Sequence, residues 1–364
     1  MSTLNVESIS HPTSGSLVTI NGTAPSNRNL IINGAMQVAQ RGTQVTGVTT
    51  SGYRTCDRFE FAAISLGTWT VDQDTNAPNG FSNSFKVTCT TADASPAAND
   101  QCFILYGIEA QNLQSLGFGT SDAKSTTLSF WVRSNKTGNA SIVLMQPDNS
   151  SELVSFQYSI SSADTWEHKT ISIPADTAGV INNDNGEGLQ IEWWLNSGSN
   201  KTGGSHQATW STYNEANRNV SNLGVGGATS DYFQITGVQL EVGEVATPFE
   251  HRSYGDELAR CQRYFATNYR TGSAIGSAWD SPYTYGFGGD MPGGAGRIRV
   301  QFPVSMRATP TMTYYGSDGT TGQIRRGSTN ITASADGGSN HCVQVSGGTG
   351  SAEYNVIYSA TAEL

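Results

Sequence analysis

The sequence predicts an all-β protein: a large β-sandwich, a short linking helix, then a smaller C-terminal β-sandwich. Three observations predict it. First, of 364 residues only 14% are charged and 36% hydrophobic, against about 25% and about 45–50% in ordinary soluble domains. The difference has gone into 41 glycines and into Ser, Thr and Asn, residues that favour turns. Second, several segments alternate apolar and polar side chains with period two, the signature of half-buried strands. Third, the strong helix formers are sparse. The 7 Trp, 14 Tyr and 13 Phe supply cores and argue against disorder, which goes with high charge and few aromatics.

The elements follow in chain order. Residues 1–28 form a leader whose only apolar anchors are Val6, Ile9, Leu17, Val18 and Ile20. His11-Pro12 and Ser14-Gly15 break it, so it buries no core alone and needs a partner. Residues 29–254 are expected to form the large sandwich, opened by a strand and turn at Leu30–Gly34. Leu128, Phe130 and Val132 share one face of a strand over 126–133, and a hairpin at Lys136-Thr137-Gly138-Asn139 leads to the next, 141–145. Residues 154–160 and 168–173 alternate again. In 189–195, Leu189, Ile191, Trp193 and Leu195 take one face, leaving Glu192 and Trp194 on the other. Residues 232–241 close the series. Many short strands between turn signals suit a sandwich, and the length suits a jelly roll with long loops better than an immunoglobulin domain.

Residues 255–270 read as the clearest helix. Asp256 and Glu257 sit where a helix start favours negative charge, and Arg260, Arg263 and Arg270 follow. Leu258, Cys261 and Phe265 are spaced three then four, a coiled-coil-like seam on a helix too short to stand alone. It needs either its own domain or symmetry copies to pack against. Residues 271–364 read as the second sandwich, with strands at 298–304, 311–315 and 355–360 and glycine-rich loops between them.

The net charge of −10 sits entirely before residue 255, and the rest balances to zero. Acidity without a basic stripe disfavours nucleic acid. No apolar run approaches the roughly 18 residues of a membrane span. The N-terminus has neither the basic nor the apolar region of a secretion signal. The cysteines Cys56, Cys89, Cys102, Cys261 and Cys342 form no Cys-x-x-Cys pair. They are expected as free core residues of a reducing compartment, with a Cys89–Cys102 bridge as the alternative.

No phosphate-binding loop, nucleophile elbow or His-Glu-x-x-His motif is present. No catalytic residue is assigned, and the expectation is a protein that is not an enzyme and carries no organic cofactor. Residues 176–188 are rich in oxygen ligands, which makes Asp176, Asp184 and Glu187 calcium candidates; a plain solvated loop is the competing reading. Carboxylate pairs such as Asp72/Asp74 or Glu187/Glu192 have the chemistry of glycoside hydrolysis, but pairs also arise by chance in an acidic chain. The aromatics say more. Trp210 and Tyr213, and separately Trp279, Tyr283 and Tyr285, lie in polar, glycine-flanked stretches. An exposed ring takes the apolar face of a pyranose while neighbouring polar groups take its hydroxyls, so these five are glycan-binding candidates. Anchoring of the loop by a buried ring is the alternative for each.

A resemblance enters at four segments. Asn29-Leu30-Ile31-Ile32-Asn33-Gly34-Ala35-Met36-Gln37-Val38-Ala39-Gln40-Arg41-Gly42, with Tyr53 and Asp57-Arg58-Phe59, resembles the opening of bacteriophage tail-fibre and related virion proteins. Residues 233–243 and 246–252 look like the end of their carbohydrate-binding-module-like jelly roll. Residues 257–265 are similar to the helix that follows it, and Phe302–Pro310 to the opening of their C-terminal β domain. The resemblance implies a virion fibre or spike, usually a homotrimer. Residues 1–28 would dock on a phage tail or head protein and Leu258, Cys261 and Phe265 would line the trimer helix. The family's receptor-contacting loops vary, so no site carries over from it; the chain order of docking segment, body, helix and neutral aromatic tip is what places the expected contact with a host cell-surface glycan in residues 271–364. A head fibre, capsid decoration protein or tail-assembly connector is the structural alternative, and a polysaccharide depolymerase the enzymatic one.

Overall fold

A computed structural model describes residues 27–270, 272–278, 295–349 and 354–364. The leader anchors Val6, Ile9, Leu17, Val18 and Ile20 lie outside the described residues. The alternating segments become strands in two facing antiparallel sheets. The first runs β1 (Gln44–Val48), β4 (Thr68–Asp74), β5 (Ser84–Thr91), β12 (Tyr232–Val242), β7 (Thr126–Ser134), β10 (Glu167–Ile173). The second runs β2 (Gly52–Tyr53), β3 (Glu60–Ile64), β6 (Gln101–Glu109), β11 (Glu187–Ser197), β8 (Gly138–Gln146), β9 (Glu152–Ile160). Leu128, Phe130 and Val132 from one sheet meet Ile104, Tyr106, Ile191 and Trp193 from the other in one buried core. This is a jelly-roll β-sandwich.

Two expectations about it are corrected. Lys136–Asn139 is not a hairpin: β7 and β8 belong to different sheets. Both strands already present buried apolar faces to the shared core, so the chain must cross from one layer to the other. Leu30–Gly34 forms no strand. Asn33 sits at φ 62°, and its side chain donates to the carbonyls of Val38 and Asp57 and accepts from the Val38 N–H, each at 2.9 Å. Local side-chain bonds of this kind compete with a ladder. Gly34 then packs on the bulge of β12. Val238 N–H donates to its carbonyl at 2.9 Å, and a Cβ there would sit 2.1 Å from the Val238 oxygen.

The helix is shorter than expected, α1 (Tyr254–Gln262), capped by the Ser253 hydroxyl accepting from the Asp256 N–H. It ends because β13 (Phe265–Thr267) is claimed by β21 (Ile357–Thr361), where Ala266 pairs with Ala360. The C-terminal domain consists of short sheets: β13-β21-β15 (Thr311–Tyr315); β14 (Ala295–Gln301)-β19 (Cys342–Thr349)-β18 (Ser334–Gly338); and β17 (Thr329–Thr332)-β16 (Gln323–Arg326)-β20 (Tyr354–Asn355). They enclose Phe302, Met306, Tyr314, Val345 and Tyr358.

The four segments that carry the family resemblance converge at the junction of the two domains. Glu250 accepts from the backbone N–H groups of Asn27 and Asn29, and Glu257 from that of Asn33. Gln40 donates to the Phe265 carbonyl at 2.7 Å. Arg58 donates to the Gly107 carbonyl at 2.7 Å and pairs with Glu363, which also pairs with Arg41 at 2.9 Å. Arg307, from the segment 302–310, donates to the carbonyls of Ala362 and Glu363, both at 2.8 Å. Arg263 and Tyr264 both donate to the buried Glu109. These motifs therefore hold the junction together.

Candidate functional site

Side chains on a strand alternate between faces, so the residues of β6 and β11 that do not enter the core must point outward from the second sheet. In most sandwiches such a face is polar and solvated. Here it carries an apolar layer of Ala62, Phe103, Val143, Met145, Leu153 and Trp194. Phe103 and Trp194 stack at 4.6 Å between centroids. A long connection between β11 and β12 folds back over them and bridges to β9 through Leu153 and Ser211. From this connection Arg218 lies over Trp194, 4.9 Å from the ring centroid, and forms a two-armed pair with Glu192. The Trp194 N–H donates to the same carboxylate at 2.8 Å. Glu192 is 0% exposed, so every strong group of this cluster is satisfied internally. A buried pair that is also hydrogen-bonded fixes geometry more than it adds stability.

Beside this covered half lies an open half. The register places Glu60 beside Leu105 and Leu105 beside Glu192, with Gly107 beside Gln190 in the next row. Leu105, Gln190, Glu60 and Glu187 are all half-buried. Gly107 leaves space that the Glu187 carboxyl occupies: a Cβ on Gly107 would lie 2.3 Å from Glu187 Oε1 and 3.3 Å from the Leu364 Cβ. Leu364 thus forms one wall. Tyr213, 40% exposed, stands on the folded-back connection, its hydroxyl 3.4 Å from Arg218.

Burial pushes the Glu187 carboxyl up to about 7, helped by the negative charges of Glu192 and Glu60 and opposed by Arg58. Burial, with Glu363 nearby, also raises Glu60. Near neutral pH Glu187 can therefore either donate or accept a hydrogen bond. With the Gln190 amide beside it, the open half offers both kinds of group over an apolar floor.

The sequence candidates fare unequally. Tyr213 is exposed at this face. Trp210 is not an exposed platform: its N–H donates to the Pro174 carbonyl at 2.9 Å and its ring meets Phe118 edge-on at 5.8 Å. It anchors the connection. Trp279, Tyr283 and Tyr285 lie outside the described residues. Asp176, Asp184 and Glu187 do not converge on a cation. Asp176 accepts from the Ala178 and Gly179 N–H groups and from Gln146, Asp184 accepts from the Gly186 N–H, and among the described residues no group of three acidic, His or Cys side chains has metal-binding geometry.

The Leu258/Cys261/Phe265 spacing is only partly helical in the structure. Cys261 is 0% exposed within its own chain, and Phe265 has left the helix, its ring under the Arg41 guanidinium at 3.6 Å. Leu258 is half-buried. Cys89 and Cys102 are separate free thiols. Of the carboxylate pairs, Asp74 is paired with Lys86 and Asp72 accepts from Gln44, while Glu192 is held by Arg218. Phe103, Leu105, Glu60, Gln190 and Arg218 escaped the sequence reading; the outward placement of Glu192 and Trp194 was the available signal.

No protein-family model and no curated protein matches the chain. Among solved structures it is similar to the enzymatically active domain of tailspike protein 4 of bacteriophage CBA120 (14% identity, TM-score 0.32), over 59% of this chain and 22% of that one. It is similar to a CBM4 module (14%, TM-score 0.30), over 58% of this chain and 98% of that one. It is also similar to a putative sugar-binding protein from Bacteroides thetaiotaomicron (13%, TM-score 0.32), over 59% and 100%. A phage tailspike domain and carbohydrate-binding proteins thus stand among its structural neighbours, at identities and scores that assign no function to this chain.

Proposed function

We propose that this chain is a subunit of a phage fibre or spike and that its jelly roll holds a host-surface glycan on the open half of the second sheet, without cleaving it. The observation that carries this reading is the arrangement at that face. An apolar floor at Leu105 lies among Glu60, Glu187 and Gln190, beside a cluster already rigid through Glu192 and Arg218, on whose outer side the exposed Tyr213 stands. Vicinal sugar hydroxyls suit planar carboxyl and amide groups, and a preorganised surface lowers the entropy lost on binding. Glu192 is committed to Arg218 and Trp194 and is not free to pair with Glu187 in hydrolysis, and release of reducing sugar tests whether Glu60 does so. Weak single sites on a multivalent particle bind firmly through avidity.

The test is binding of the purified chain to a bacterial-surface glycan array, repeated with Gln190→Ala and Tyr213→Ala. Binding by the parent chain that both variants weaken, with no release of reducing sugar, is the expected result. Unaltered binding in both variants would overturn the placement. The trimer is tested by solution mass: a stable monomer would sink it, and a trimer would have to use a surface other than the Cys261 seam.

A further inference from the structure

We propose that the C-terminal domain carries a second, separate binding site, for one uncharged sugar unit, in the cleft between β15 and β18. Each is the edge strand of its own sheet, and the two edges do not pair with one another. Gly322 closes the gap at one end: its N–H donates to the Tyr314 carbonyl at 2.8 Å and its carbonyl accepts from Ala333 at 2.9 Å. What remains open is a cleft of about 500 Å³, within the size range of small-ligand sites.

Its lining narrows the ligand. Met312, Tyr314, Ala333 and Val343 give an apolar floor; Thr313, Thr321 and Ser334 also line the cleft, the Ser334 hydroxyl bonded to that of Ser346 at 2.9 Å; no lining residue is charged. Because Tyr314 uses its carbonyl on the side away from β21, antiparallel alternation turns the Met312 peptide groups to that side as well. The Tyr314 side chain is 6% exposed, and its hydroxyl is buried with no hydrogen-bond partner. Buried hydroxyls are nearly always paired, and burial with the nearby Asp336 carboxylate pushes this one up to about 12, so it remains a donor. Asp336 itself is occupied by Ser346 and Arg297.

A charged ligand would find no countercharge in the cleft. A purely apolar one would leave the Tyr314 hydroxyl unpaired and dehydrate the threonines. A pyranose ring has one apolar face and uncharged hydroxyls around its rim, which answers both demands. This site is independent of the jelly-roll face and stands or falls separately from it.

The experiment is saturation-transfer-difference NMR on the full chain with the methyl glycosides of glucose, galactose, mannose and N-acetylglucosamine. Three variants are compared: Tyr314→Phe, which deletes one oxygen; Ala335→Trp, which fills the cleft from the exposed strand β18; and Tyr213→Ala at the jelly-roll face. The expected result is a signal from at least one glycoside that Ala335→Trp abolishes, that Tyr314→Phe weakens about fivefold, the scale of one lost hydrogen bond, and that Tyr213→Ala leaves unchanged. Silence from all four glycosides overturns the proposal, as does a signal unaffected by Tyr314→Phe. A signal removed by Tyr213→Ala alone would support only the jelly-roll site. Should Ala335→Trp not fold, Tyr314→Phe still decides.

Discussion

Replacing Glu363 by Gln removes one negative charge from the domain junction and almost no volume. Glu363 is the shared partner of Arg58 and Arg41, whose side chains are 1% and 11% exposed. Arg58 keeps its bond to the Gly107 carbonyl and its stacking on Tyr264, at 3.6 Å from the ring centroid, but neither supplies countercharge. Removing one partner of a buried pair leaves the other uncompensated, at a cost of about 3–5 kcal/mol. At roughly 2 °C per kcal/mol for a large cooperative unit, the melting temperature falls by about 6–10 °C. Scanning calorimetry reads this directly, and a split into two transitions would mean that the domains had uncoupled. The double variant Arg58→Met, Glu363→Leu should regain most of the loss, since apolar replacement of a buried pair is often neutral. A loss below about 1 kcal/mol, the range of exposed pairs, would refute the reasoning.

Further outcomes are expected. Because burial raises Glu187 to about 7 in the folded chain from the ordinary 4.5, the folded form binds more protons in that window. The neutral carboxyl's contribution is fully present below pH 4.5 and is lost as pH rises through about 7. Melting temperatures at pH 5 and pH 8 should differ less in Glu187→Gln than in the parent chain; an equal difference would be contrary. Gly34→Ala forces a Cβ onto the Val238 carbonyl and should cost about 1–3 kcal/mol or more through overpacking, measured by urea unfolding. Arg218→Met strands Glu192 and should lower stability by about 3–5 kcal/mol; wild-type stability would show that the pair is not closed in solution. Trp210→Phe removes an N–H from the Pro174 carbonyl and should cost about 1 kcal/mol, with little loss in a glycan assay.

What was legible in the sequence had a short-range period. Leu128, Phe130 and Val132 face the core because alternation needs only neighbours. The same alternation placed Glu192 and Trp194 on the opposite face, half of the candidate site. It could not show that Arg218 returns from a long connection to cover them, because no periodicity links the two positions. Trp210 misled for a related reason. Its sequence neighbours are polar, while the partners that bury it, Phe118 and Pro174, come from other parts of the chain. The Leu258/Cys261/Phe265 spacing anticipated the burial of Cys261 and Phe265 and nothing about what buries them. Here that is the chain's own junction, where the acidic Glu257 is needed by the Asn33 N–H.

That junction also decides which experiment can test the proposed receptor contact. Truncation at residue 270 is the obvious way to ask whether the C-terminal domain binds the host. It would leave β13 without β21, expose Phe265 and Ala266, and strip Arg58 and Arg41 of Glu363. The jelly roll would lose the wall that Leu364 gives to its own open face. Lost adsorption in such a truncation would therefore follow from either site. Point variants separate them, because Tyr213 and Ala335 are exposed and neither takes part in the junction. If host-cell binding by the chain falls with Tyr213→Ala and not with Ala335→Trp, the jelly-roll face contacts the receptor. The reverse pattern assigns that contact to the cleft at Tyr314, and a loss in both assigns it to the two sites together. Unchanged binding in both would remove either surface from adsorption.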